Sequence, residues 1–169
     1  MLLETVELTP SEFLLAVTMG HQRMTASLGR NHNTGNRRRT NLERMGDEIR
    51  SMCAELAWHK ACGTYFNTGI NQFMSEPDTN GVEHKTIRDP GGRMPIRPTD
   101  KRERTFVCSH TDGNKVRFLG WLRGYEVKDS WLANPGNASP AWFVPMNELH
   151  TISRLPPHLL PAMFNPEIN

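Results

Sequence analysis

The chain has 169 residues, enough for one domain with a sizeable core and a short extension. A hydrophobic content of 37% and a mean hydropathy of −0.58 lie below the globular average, so part of the chain reads as loop or tail. The formal charge of +2 is too small to argue for nucleic acid by itself. Cys53, Cys62 and Cys108 show no CxxC spacing, which fits the reduced thiols of a cytoplasmic protein better than a disulfide framework or a zinc site. The start, Met1 to Glu7, lacks a basic region and a long apolar run, so no signal peptide is expected. Nothing approaches the length of a transmembrane helix, so no membrane partner is expected.

Taken in chain order, the first element is a helix. Thr9 suits the N-cap, Pro10 the first helical position, and Glu12 completes a capping box. Phe13, Leu14, Val17, Met24 and Leu28 fall on one side at helical spacing, which predicts a helix to about Leu28, with Gly20 weakening its middle. The stretch 29–40 is rich in Asn, Gly and Arg, including Arg30, Arg37, Arg38 and Arg39, and reads as a basic loop. Thr40 with Glu43 repeats the capping signature. A second helix follows, with Leu42, Met45, Ile49, Met52, Cys53 and Leu56 as its apolar stripe and Gly63 as its stop. At about 100° per residue, Glu55 lies about 100° from the centre of that stripe. It is a boundary position, from which it could reach the edge of a packed sheet.

Beyond Gly63 the pattern changes to strands: the arms around Asn80-Gly81, then 105–110, 115–122 and 141–144. Asp89-Pro90-Gly91-Gly92 and Thr111-Asp112-Gly113-Asn114 supply turns, the second closing a hairpin. A short helical turn is expected over 145–149. From Leu155 the prolines at 156, 157, 161 and 166 predict an extended tail or arm.

The chemistry concentrates in residues 77–85, Pro77-Asp78-Thr79-Asn80-Gly81-Val82-Glu83-His84-Lys85. Asn80-Gly81 is a two-residue turn signal, because both positions of a type I′ turn need φ > 0. That turn would pair Thr79 with Val82 and set Asp78 opposite Glu83, with Cβ atoms about 4.5–5.5 Å apart. Lys85 shares the face of Glu83, and His84 points the other way. Two carboxylates beside an ammonium make a hard-cation site next to a group able to orient water. The bland alternative is a solvated charge pair worth under about 1 kcal/mol. Basic residues cluster at Arg37, Arg38, Arg39 and again at Arg93, Arg97, Lys101, Arg102 and Arg104, as solvated surface or as phosphate contacts. No His-x-x-x-His pair occurs, which argues against zinc. Trp121, Trp131, Trp142, Phe106, Phe118 and Phe143 read as core rather than as base-stacking groups.

Pro77-Asp78 followed by Glu83-His84-Lys85 resembles the signature of the PD-(D/E)XK nuclease superfamily, the restriction-endonuclease-like fold. Glu55, in Met52-Cys53-Ala54-Glu55-Leu56-Ala57, looks like the acid that an N-terminal helix donates in that family. Val6-Glu7-Leu8-Thr9-Pro10-Ser11-Glu12 and Gly120-Trp121-Leu122-Arg123-Gly124 add a likeness to its small phage-encoded members. The resemblance spans residues 5–150, and its specific part is the acidic hairpin with Glu55.

It implies an α/β fold, a restriction-endonuclease-like mixed β-sheet flanked by helices. Residues 1–40 would form an N-terminal helical extension and basic loop, 41–154 the core and 155–169 a Pro-rich tail. Asp78 and Glu83 would be the principal Mg²⁺ ligands, with Mn²⁺ as substitute and Glu55 completing the shell. Lys85 would orient the attacking water. DNA would be the substrate, held by Arg37, Arg38, Arg39, Arg93, Arg97, Lys101 and Arg102. Many such nucleases need a homodimer to cut both strands. His84 departs from the family pattern, in which the middle residue of Glu-x-Lys is typically apolar: either it finds a buried partner or that face is partly open, and a satisfied structural histidine is expected. The alternative is a non-catalytic DNA- or protein-binding module on the same fold, a phage accessory or anti-defence protein.

Overall fold

The computed structural model describes residues 4–29, 40–64, 66, 81–134 and 139–164. Among these, the elements run β1 (Glu4–Glu7), α1 (Pro10–Gly29), α2 (Asn41–Cys62), β2 (Val82–Ile87), β3 (Arg93–Ile96), β4 (Thr105–Asp112), β5 (Lys115–Arg123), β6 (Leu132–Ala133) and β7 (Ala141–Pro145), with short 3₁₀ turns between and after. Among the described residues, no helix is long and apolar enough to cross a membrane.

Both helix starts are built as their sequences predict. The Thr9 N–H donates to Glu12 Oε2 at 2.6 Å while the Glu12 N–H donates to Thr9 Oγ1 at 3.3 Å. Thr40 and Glu43 repeat this reciprocal bonding. Such caps satisfy donors that the first turn of a helix leaves unpaired. At the far end of α2, Gly63 sits at φ 65°, the left-handed conformation that glycine adopts without a Cβ clash. The apolar stripe of α1 is displaced from its predicted phase. Leu14 and Leu28 are exposed, and the buried side runs through Ala16, Met19, Gly20 and Met24. A hydropathy count undervalues alanine and glycine, and these two are what let α2 come close.

Four strands form a mixed sheet in the order β1-β5-β4-β2, with β2 parallel to β4 and the other pairs antiparallel. β4 and β5 make the expected hairpin, with Asp112 opposite Lys115 and Gly113 at φ 56° in the turn. The remaining strands make a second, antiparallel sheet in the order β3-β7-β6. Neither β1 nor β3 is legible in the sequence patterning: each is four residues long, and β3 opens on Arg93 and contains Pro95.

The architecture is therefore mixed α/β in three layers. One core lies between the helices and the four-stranded sheet, and includes Met52, Ala57, Trp58, Val107, Phe118 and Ile152. The other lies between the two sheets, around Met94, Ile96, Phe106, Cys108, Leu122 and Val144. Among the described residues, then, helices cover one face of the central sheet and strands cover the other. The mixed sheet with helices packed on it is as expected, and the second sheet is an addition to that expectation. Residues 155–164, the described part of the segment expected to trail away as an arm, pack down instead. Leu155 is buried and the Phe164 ring meets Trp58 edge-on at 6.3 Å, while just before this segment His150 exchanges backbone hydrogen bonds with Trp121 at 2.9 Å. The Pro156 and Pro161 carbonyls accept from the Leu159 and Phe164 N–H groups at 2.8 and 2.9 Å, closing turns rather than an extended chain.

Candidate active site

β2 is half of the predicted acidic hairpin. Val82 and His84 turn toward α2, whereas Ile87 joins the core between the sheets. By the two-residue period of a strand, Glu83 and Lys85 share the face of Ile87. The register agrees: Glu83 lies beside Phe106 and Lys85 beside Cys108, both of the inter-sheet core. The Lys85 ammonium stands 5.3 Å from the centre of the Phe106 ring.

Four charged groups gather there. Lys85 Nζ lies 3.8 Å from Glu83 Oε1 and 2.8 Å from Asp100 Oδ2. Arg104 Nη1 donates to Glu83 Oε2 at 2.5 Å. The Arg97 backbone N–H donates to the same Asp100 oxygen at 2.8 Å, which fixes the carboxylate that Lys85 meets. Each of the four side chains is only 13–17% exposed, so their attraction is screened less than that of a surface pair. Asp100 and Arg104 escaped the sequence reading as site residues. Asp100 is fifteen positions from Lys85 and carries no motif, and Arg104 looked like one more cation of a basic run.

Glu55 is enclosed rather than at a boundary. It is 5% exposed, and Arg23 of α1 grips both its oxygens, at 2.7 and 2.9 Å. The helical periodicity of α2 could not show this, because the enclosing group comes from another helix. Glu48, about two turns earlier, is half-buried. Burial raises its pKa above the ordinary carboxylate value, against the opposing pull of Arg23, Arg44 and Arg97. Glu55 meets Arg23, Arg23 and Arg97 both act on Glu48, the Arg97 backbone holds Asp100, and Asp100 meets Lys85. His59 contacts Thr64 at 2.9 Å and the Phe66 ring, and burial lowers its pKa.

His84 is a core group. It is 9% exposed, with its ring edge-on to Trp58 at 5.4 Å and tilted against Phe118 at 6.4 Å. Aromatic surroundings accept an imidazole on this buried face. Asp78 lies outside the described residues, as do Arg37, Arg38, Arg39 and the Thr79–Val82 pairing. Gly81, at φ 83°, has the positive φ that the predicted turn requires. Arg93, Arg97, Lys101 and Arg102 are all exposed, although Arg102 is anchored by the Val127 carbonyl at 3.1 Å and by the Trp142 ring at 4.8 Å.

The donors on this face are carboxylate oxygens, the hard ligands that Mg²⁺ takes. Among the described residues, no group of three His, Cys, Asp or Glu side chains converges to hold a metal ion. No family model matches the chain, and neither a curated protein nor a solved structure matches it.

Proposed function

We propose that the protein is a Mg²⁺-dependent nuclease that hydrolyses DNA phosphodiester bonds at the Glu83–Lys85 face of β2. One observation carries the reading: an acid and an ammonium 3.8 Å apart on a strand, with a third charged group, Asp100, fixing the ammonium at 2.8 Å. Glu83 and Asp78 would hold the ion, with Glu55 as the helical acid and Mn²⁺ as a substitute. When bound, the ion would polarise the phosphoryl oxygen and lower the pKa of its water. Lys85, steadied by Asp100, orients the water and meets negative charge developing on the phosphate. In-line attack would leave 5′-phosphate and 3′-hydroxyl ends. The exposed Arg93, Arg97, Lys101 and Arg102, with Arg37, Arg38 and Arg39, would hold the backbone by contacts that position DNA without reading its sequence. A homodimer would allow both strands to be cut. The scattered free thiols suit a cytoplasmic setting, the host cell's if the chain is phage-encoded.

The test is cleavage of plasmid, linear and branched DNA by the purified chain with Mg²⁺ or Mn²⁺. Glu83→Gln and Lys85→Ala are each expected to lower the rate about 10²–10³-fold, the loss typical of removing one group that stabilises developing charge. Intact DNA under all these conditions sinks the proposal. Unchanged rates in both variants would overturn the residue assignment.

The ion pair between Arg104 and Glu83 favours a second reading, since a carboxylate already neutralised by arginine suits a non-catalytic DNA- or protein-binding module. Such a module binds without divalent metal and survives loss of Asp78. DNA binding abolished by a chelator, or by Asp78→Asn, excludes it for DNA.

A further inference from the structure

Arg104 has no part in the hydrolysis just described, yet it holds the acid on which that chemistry depends. Its guanidinium and the Lys85 ammonium face the two oxygens of Glu83, at 2.5 Å from Oε2 and 3.8 Å from Oε1. The backbone of Arg104 is pinned on both sides. Its N–H donates to the Lys101 carbonyl at 3.1 Å, and its carbonyl accepts from the Gly124 N–H at 2.9 Å. A Cβ at Gly124 would stand 2.5 Å from the Arg102 carbonyl oxygen, so the two backbones pack closely there. The guanidinium can therefore leave Glu83 only by rotation of its own side chain.

We propose that Arg104 is a positioning residue of this site, which holds Glu83 while no divalent cation is bound and competes with that cation for the carboxylate. The inference rests on the hydrolytic reading for the nature of the cation. Glu83, Asp100, Lys85 and Arg104 together carry no net charge. A divalent cation added beside the guanidinium would place like charges within a few ångströms of each other in a half-buried setting, where repulsion is poorly screened. The cation and the guanidinium therefore exclude each other at Glu83 Oε2. Once displaced, the guanidinium is free to meet an anionic phosphate, which offsets the positive charge that the metal brings. Metal and nucleic acid then favour each other's binding, and neither is held strongly alone.

Calorimetric titration of the full chain with Mn²⁺ alone tests this without DNA and without activity. Arg104→Gln and Arg104→Met keep most of the stem and remove the charge. Both are expected to bind Mn²⁺ about tenfold more tightly than the wild type, within the range of ordinary coupling between two ligands. Equal or weaker binding by a folded variant overturns the proposal. In the wild type, the Arg104 Nε–H NMR signal is expected to shift in step with Mg²⁺ occupancy. A signal that stays put while Mg²⁺ binds also overturns it, whether or not the variants fold. DNA cleavage is scored separately. If the wild type cleaves DNA and neither variant binds Mn²⁺ more tightly, hydrolysis stands and the competition falls. If the variants bind more tightly but the wild type cleaves nothing, the competition stands and hydrolysis falls. Absence of Mn²⁺ binding in every form removes both.

Discussion

Burial decides the chemistry of individual residues in this protein, and the thiols show it most simply. Cys53 and Cys108 are fully buried, and burial pushes their pKa values up to about 11 and about 12. A thiol that cannot ionise is a poor nucleophile. Neither is expected to react with a thiol reagent at pH 8 in the folded chain, and both should react once it is denatured. Rapid labelling of Cys108 in the native state would contradict its placement between the sheets. The same shifts set a pH dependence. Above the ordinary thiol value of 9.0 the unfolded chain releases these protons while the folded chain keeps them. Stability therefore falls as pH rises from about 9 through the folded values. Urea melts of the wild type and Cys108→Ala across that window should show a shallower fall in the variant.

At the scale of elements, α1 and α2 are held together by a glycine that propensity alone marks as a defect. A Cβ at Gly20 would lie 2.7 Å from both Cα and N of Ile49, so the two helices meet backbone to backbone at that point. Gly20→Ala should gain up to about 1 kcal/mol of helix propensity. It should lose more by forcing the helices apart, since overpacking costs typically about 1–3 kcal/mol. A lowered midpoint in chemical denaturation is the expected result, and a raised one would mean that the helices can separate freely. The consequence reaches the candidate site, because the Arg23 that grips Glu55 comes from α1 a few residues beyond this crossing.

At the scale of the whole molecule, residues 150–164 are part of the core and not an appendage. Leu155 is 3% exposed within the helix-side cluster, and Trp121 Nε1 donates to the Thr151 carbonyl at 2.9 Å. Leu155→Ala is expected to cost about 2–5 kcal/mol, as for other buried leucines. Truncation before Leu155 should destabilise the chain further. A truncated chain that melts with the wild type would show that this packing contributes nothing.

Much of the local structure was legible in the residues. The capping boxes at Thr9 and Thr40, the Gly63 stop, the turn at Gly113 and the shared face of Glu83 and Lys85 depend on short-range rules: orphan N–H groups, φ > 0 and the two-residue period of a strand. His84 could likewise be assigned to the opposite face before any partner was known. The tertiary structure alone decided what those faces meet. It placed Arg23 on Glu55, Arg104 on Glu83 and Asp100 on Lys85, and it added a second sheet to the expected one. Each of these contacts joins residues distant in sequence. Hydropathy and spacing register what a side chain is and how its own element turns, but not which charge another element brings to it.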